Sequence, residues 1–368
     1  MNTKRIGAVG AIAIAGSLLL SSCAANEQPT APTETTTDAP AAATLEGTLT
    51  GSGASSQEKA QTAWVAEIQN ANAGLTINYS AGGSGVGRTA FIEGAADFIG
   101  TDRAFKTSEI DENEFATCVP GTDIVELPLY ISPIAIGYNL PGVEDLQLDA
   151  ATIAKIFSNQ ITSWDDPAIA ALNEGATLPA LAITPVFRST NSGTTENFTD
   201  YLKKAAPEAW SFDVSGDWPA GLTGEAAAET GDVAAALEFE GTIGYLDASR
   251  APGSTVKVKV GEEFVAYSPE GAAAVVDASP LETGRAATDI AIALDRTATA
   301  PGVYPIVLVS YLVGCTEYQD AAQGALVKAY FEFMASEDGQ RVAAEAAGSA
   351  PISDALREKS LEAIAVIK

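Results

Sequence analysis

The sequence contains no histidine at all, only 2 methionines, 4 tryptophans and 3 cysteines, and 20 lysines and arginines against 48 acidic residues in a chain of 368. Without histidine there is no Ser–His–Asp triad, no His-ligated zinc and no histidine general base. The shortage of cations leaves a formal net charge of −28. That balance argues against wrapping nucleic acid or lying on an anionic membrane face, since both need clustered Lys and Arg. Neither a G-x-S-x-G elbow nor a G-x-x-x-x-G-K-[ST] loop is present, which weakens hydrolase and nucleotide-dependent readings further. What the chain does have is apolar material: 46% hydrophobic and 18% charged residues, enough for a sizeable core and too few charges for a disordered chain. Its length predicts two domains or one elaborate domain.

The one long apolar run is at the N-terminus. Lys4 and Arg5 precede a largely apolar stretch from Ile6 to Leu20, which leads into Ser21-Ser22-Cys23. A basic start followed by an apolar segment of this length reads as a secretory signal, too short for a membrane span. Leu20-Ser21-Ser22-Cys23 resembles a bacterial lipobox, so cleavage after residue 22 and lipidation of Cys23 are expected. The mature chain would then hold 18 basic and 48 acidic residues, a charge of −30. Residues 23–46 are mainly Ala, Thr, Pro, Glu and Asp, without aromatic residues or usable periodicity. Such a segment cannot bury enough apolar area to offset its ordering entropy. It is expected to be a flexible tether spanning roughly 25 Å as a random coil, with the globular body starting near Gly47. The two remaining cysteines, Cys118 and Cys315, would sit where disulfides persist; they either pair or stay as two separate buried thiols.

From Gly47 onward strand-like and helix-like stretches alternate, as in an α/β protein. The pattern predicts strands at Thr76–Ser80, Leu181–Phe187 and Val303–Val313, and helices over Ser55–Asn70, Ser192–Ala205 and Ala321–Met334. Ile124 to Tyr138 reads as a strand-rich run broken by Pro128 and Pro133. No second Pro/Gly-rich linker interrupts the body, so two lobes would be interwoven.

Four segments carry chemistry. Thr50-Gly51-Ser52-Gly53-Ala54-Ser55-Ser56 leads into a helix, with Ser55 and Glu58 matching a capping box. Gly82-Gly83-Ser84-Gly85-Val86-Gly87 and Arg188-Ser189-Thr190-Asn191-Ser192-Gly193-Thr194 each follow a strand and open a helix. Such loops aim backbone N–H groups and a hydroxyl at one point, where the helix dipole favours an anion. One loop would be ordinary capping; three together, one holding Arg188, point to an oxyanion. The fourth segment, Ala96-Asp97-Phe98-Ile99-Gly100-Thr101-Asp102-Arg103, puts carboxylates beside such a site. Taken alone, Asp97 and Asp102 read as turn residues paired with Arg103; beside an anion, an ionised Asp makes sense if the ligand carries a proton.

Together TGSGAS, NYSAGGSGVG, ADFIGTD, SWDDPAIAALN, FRSTNSGTTENF and GTIGYLD, in this order and spacing, resemble the phosphate-binding protein of the high-affinity phosphate ABC transporter, the PstS family. The resemblance runs from about Leu49 to the C-terminus and is loose in the tail from Ala321. It implies a two-lobed α/β binding protein of the periplasmic-binding-protein type, with the ligand in the cleft between the lobes. Lobe one would be 47–131 with 301–368 and lobe two 132–300, so that a Cys118–Cys315 bridge staples lobe one. It implies phosphate contacts from Ser55, Ser56 and Ser84, a proton-accepting Asp102, a charged clamp at Arg188, and donors from Ser192, Gly193 and Thr194. It further implies separate permease and ATPase subunits, no cofactor, no catalysis, and a monomer held to the outer face of a bacterial membrane by the lipid on Cys23. Two positions depart from the family pattern: Ser56 stands where an aromatic is common, and Thr190-Asn191 replace the Asp-Gly after the arginine, leaving Arg188 without that salt-bridge partner. The alternatives are a binding protein for another oxyanion, an exported phosphatase or serine hydrolase, or a surface adhesin or phosphate sensor without transport.

Overall fold

The computed structural model describes residues 44–368; the signal run 1–22, Cys23 and the tether up to residue 43 lie outside the described residues. The body starts slightly before Gly47. Leu45 N–H donates to Asn72 Oδ1 at 2.9 Å, and strand β1 opens at Glu46.

In chain order, β1 (Glu46–Gly53) leads through a 3-10 turn (Ser55–Gln57) into α1 (Glu58–Ala71), then β2 (Gly74–Ser80), α2 (Ser84–Ile92), β3 (Phe98–Thr101), α3 (Thr107–Glu112) and the long β4 (Ile124–Tyr138). The middle of the chain supplies β5 (Gln147–Leu148), α4 (Ala150–Phe157), α5 (Pro167–Leu172), β6 (Thr184–Arg188), α6 (Gly193–Ala205), β7 (Glu225–Ala227), α7 (Thr230–Ala236), β8 (Thr242–Asp247), β9 (Lys257–Val260), β10 (Glu263–Val265) and α8 (Pro269–Ala278). The chain closes with β11 (Val307–Cys315), α9 (Ala321–Ala335), α10 (Glu337–Ala347) and α11 (Asp354–Ala365). Eight strands form one sheet in the order β2-β1-β3-β11-β4-β8-β6-β7, and β10-β9-β5 form a second, small sheet. Among the described residues no helix is long and apolar enough to cross a membrane.

Local chemistry explains the elements. Ala60, Trp64 and Ile68 bury one face of α1 at four-residue spacing. Ser192 caps α6, its Oγ accepting from Thr195 N–H, and Lys203 and Lys204 lie in that helix's last turn, where the dipole favours cations. Every residue of β4 is buried, so it reads as a continuous apolar run rather than an alternating one.

The expected break of β4 at its prolines does not occur; it is one strand of 15 residues. Pro128 sits at a bulge, where the register with β11 shifts between Ser310 and Leu312. A bulge spares the strand the ladder hydrogen bond that proline cannot donate. Pro133 stands where the partner changes: β4 pairs with β11 up to Pro133 and with β8 from Ile134. Two further strand bounds move. The late strand runs Val307–Cys315, because the buried segment before it, with Pro305, is not in the ladder. Leu181 and Ile183 instead bond the 162–164 segment through Trp164 N–H to Leu181 O and Ile183 N–H to Thr162 O, so β6 begins at Thr184. Cys118 and Cys315 are disulfide-bonded across 197 residues, tying the segment before β4 to the end of β11.

Candidate functional site

Parallel strands β2, β1 and β3 on one side of the sheet, and β6 on the other, run so that their carboxyl ends face a common point. Crevices at such strand ends are the usual ligand sites of open α/β sheets. Gly53 ends β1 with φ +132, and an added Cβ would lie 2.0 Å from Gly100 O, so only glycine lets the first loop pass this close to β3. That loop delivers Ser55 and Ser56. The capping box expected between Ser55 and Glu58 does not form: Glu58 pairs with Arg250 at 2.6 Å, and the first turn has no side-chain cap. Ser55 Oγ is turned instead toward Thr230 Oγ1 and the Arg188 guanidinium, both at 3.0 Å.

Asp102 is the centre of the cluster. Its Oδ1 accepts from Ser56 Oγ at 2.6 Å and from Ser310 Oγ at 2.7 Å; its Oδ2 has only a long contact from Thr194 Oγ1 at 3.4 Å. Its backbone N–H donates to Ser84 Oγ at 3.1 Å. Burial pushes the Asp102 carboxyl above its ordinary pKa, while the Ser56 and Ser310 hydroxyls, the Arg188 charge and Thr194 hold it down. The reading of Asp97 and Asp102 as partners of Arg103 is therefore corrected. Arg103 pairs with Glu109 at 2.6 Å and Glu196 at 3.0 Å, and Asp97 accepts from Thr50 N–H.

Arg188 ends β6 and is 2% exposed. Its Nε donates to Ala228 O at 2.9 Å, one terminal nitrogen to Ser55 and Ser192 Oγ, and the other to Thr190 Oγ1 at 3.1 Å. Thr190 is anchored in turn on Ala228 O. A neutral hydroxyl and a carbonyl thus orient this arginine, and no carboxylate of the described residues lies within ion-pair distance of it. Burial pulls its pKa below the usual guanidinium value, with Tyr245 and Asp102 opposing. Gly193 closes the cluster, since a Cβ there would lie 2.5 Å from both Asp102 Cβ and Ser84 Oγ. All eight residues singled out in the sequence are buried and gathered here.

A family model described as "PBP superfamily domain" matches residues 35–338. Phosphate-binding protein PstS 3 of Mycobacterium tuberculosis is 35% identical over 341 residues, covering 90% of this chain and 91% of the relative. Phosphate-binding protein PstS 2 of the same organism is 32% identical and covers 100% of both chains. The chain belongs to the PstS family of phosphate-binding proteins. Two solved structures share the fold: a high-affinity periplasmic phosphate-binding protein, PfluDING, bound with phosphate, at TM-score 0.67 and 22% identity (85% of this chain, 92% of that one), and a phosphate-binding protein from Stenotrophomonas maltophilia at 0.65 and 21% (86% and 94%). The two-lobed α/β architecture of the PstS family accounts for the eight-stranded sheet in which β4 pairs first with β11 and then with β8.

Beside this cluster a cleft of about 550 Å³ opens, lined among others by Asp102, Arg103, Asn197 and Arg296. Several structural participants escaped the sequence reading. Asn197 Nδ2 donates to Asp102 O at 2.6 Å, and its Oδ1 accepts from Arg296. Arg88 reaches Thr101 Oγ1 and Asn191 Oδ1. Ser310 could have been found, as the one serine inside the largely apolar run Val307-Leu308-Val309-Ser310-Tyr311-Leu312-Val313. Asn197, inside a helix of mixed polarity, carried no such signal.

Proposed function

We propose that this chain is an extracytoplasmic solute-binding protein that captures inorganic phosphate, as HPO4²⁻ or H2PO4⁻, and delivers it to separate permease and ATPase subunits of an ABC transporter. The observation that carries the reading is the facing of a buried arginine free of carboxylate partners, Arg188, and a buried carboxylate with one underused oxygen, Asp102 Oδ2, amid serine and threonine hydroxyls from loops that open helices. In this reading the hydroxyls of Ser55, Ser84 and Ser192 and the backbone N–H groups of Ser56, Gly193 and Thr194 donate to phosphate oxygens, Arg188 neutralises charge, and Asp102 accepts the ligand's proton. An ionised carboxylate cannot donate, so sulfate would meet Asp102 with no proton between them, and such a site commonly rejects the analogue by roughly 10⁴ or more. Arsenate keeps the proton and the shape and should compete.

The lobes in this reading are about 47–131 with 301–368, and 132–300; the change of β4 partner at Pro133 supports that division. The chain acts as a monomer without catalysis, held to the outer membrane face by a lipid on Cys23, a proposal that rests on Leu20-Ser21-Ser22-Cys23 alone.

The test is calorimetric titration of phosphate-stripped, signal-free protein with phosphate, then sulfate, repeated on Asp102→Asn. One-to-one phosphate binding without a sulfate response, and weaker, less discriminating binding by Asp102→Asn, is the expected result. Silence toward phosphate would sink the reading, and unchanged selectivity in Asp102→Asn would remove that residue from the site.

A further inference from the structure

Ser310 lies on β11 and is fully buried, yet no part of the chemistry above requires it to be there. It is the last link of a chain of hydrogen bonds that begins in α9. Tyr330 O–H donates to Gln61 Oε1 at 2.8 Å, Gln61 Nε2 to Gln57 Oε1 at 2.9 Å, Gln57 Nε2 to Ser310 Oγ at 2.6 Å, and Ser310 Oγ to Asp102 Oδ1 at 2.7 Å. The direction of the chain matters. Gln57 Nε2 can only donate, so Ser310 spends its lone pair on Gln57 and its single proton on Asp102. Reversing the amides would turn the lone pairs of Ser310 on the carboxylate instead of its proton. With Ser56 donating to the same oxygen, Oδ1 receives two short hydrogen bonds while Oδ2 keeps one long contact.

We infer that Ser310, held in polarity by Gln57, decides which oxygen of Asp102 meets the ligand and thereby sets the discrimination between protonated and fully ionised oxyanions. The inference rests on the phosphate reading and deepens it. Donation to Oδ1 keeps that oxygen unprotonated and the carboxylate from turning about its own axis, so that Oδ2 is presented as an acceptor. Without Ser310, Asp102 holds a proton more readily and can offer it to sulfate. Ser310 is thus a positioning residue; it touches Asp102 and not the ligand. Space is also reserved for the relay: a Cβ on Gly100 would lie 2.7 Å from Gln57 Oε1.

The experiment titrates Ser310→Ala, Gln57→Met and the double variant with phosphate and with sulfate. A hydrogen bond to a charged group is worth a factor of roughly 10 to 100, so Ser310→Ala should narrow the phosphate-to-sulfate affinity ratio by that factor. Gln57→Met should narrow it less, and the double variant no further than Ser310→Ala, because Gln57 acts only through Ser310; additive narrowing would mean that Gln57 reaches Asp102 by a route other than Ser310. Should Ser310→Ala fail to fold, a narrowed ratio in Gln57→Met carries the test. An unchanged ratio in a variant that still binds phosphate one-to-one overturns the inference and leaves the phosphate reading standing, as does full additivity. Wild-type protein silent toward phosphate overturns both.

Discussion

At Arg188 the side chain meets the Thr190 hydroxyl and no carboxylate of the described residues. Thr190 Oγ1 accepts from the guanidinium at 3.1 Å and donates to Ala228 O at 2.9 Å, so the arginine keeps its orientation while its charge stays uncompensated by an adjacent acid. Thr190→Val keeps the volume, removes both hydrogen bonds, and leaves a buried guanidinium N–H without a partner. Removing one partner of a charged hydrogen bond costs roughly 1.5–3 kcal/mol. Phosphate affinity should therefore fall at least tenfold, read by calorimetry, with the melting temperature lowered only slightly. An affinity unchanged by Thr190→Val would mean that Ala228 O, Ser55 and Ser192 suffice to orient Arg188.

Among the elements, β11 and the end of β8 each lead to a prediction. The Cys118–Cys315 bridge closes 197 residues, and the chain-entropy model assigns such a loop up to roughly 5 kcal/mol. Replacing both cysteines by serine should lower the melting temperature by many degrees, because the bridge constrains the unfolded chain, and leave phosphate affinity unchanged within about twofold. A small thermal shift would show that the sheet already holds these segments in the unlinked chain. Asp247 ends β8, where Tyr130 O–H donates to both its oxygens at 3.2 and 3.3 Å and Ser249 N–H donates at 2.9 Å. Burial nevertheless pushes its carboxyl from 3.8 up to about 6. A folded pKa above the unfolded one means a contribution fully present below about pH 4 and lost as pH rises through about 6. Asp247→Asn cannot ionise, so between pH 4 and 7.5 it should lose roughly 3 kcal/mol less stability than wild type in urea unfolding. Parallel pH curves for the two proteins would contradict the assignment.

The whole molecule carries a charge of the same sign as its proposed cargo. At −28, its long-range field repels phosphate, and in the proposed reading attraction comes from Arg188 and the loop N–H groups at short range. Buried contacts are little screened, whereas the surface field decays within about 8 Å at physiological ionic strength. Raising salt should leave the equilibrium affinity within about threefold and speed association slightly, measured by stopped-flow fluorescence. A steep loss of affinity with salt would indicate surface cations guiding the ligand, contrary to this charge distribution.

The sequence by itself determined the parts that depend on residue type and local order. The absence of histidine, the strand–glycine–hydroxyl–helix loops at residues 51–56, 82–87 and 188–194, and the helices over 58–71, 193–205 and 321–335 were all legible, because capping and periodicity are set by neighbours a few residues apart. Only the tertiary structure decided what each side chain faces. Ser55 reads locally as half of a capping box and is instead spent on an arginine 133 residues away. Asp102 reads as a partner of its neighbour Arg103, yet Ser310, 208 residues on, holds it. Pro128 and Pro133 read as strand breakers, but a bulge and a change of partner absorb them. In each case the deciding interaction is non-local: burial removes water as the alternative partner, and the polar atom bonds whatever the fold brings within reach.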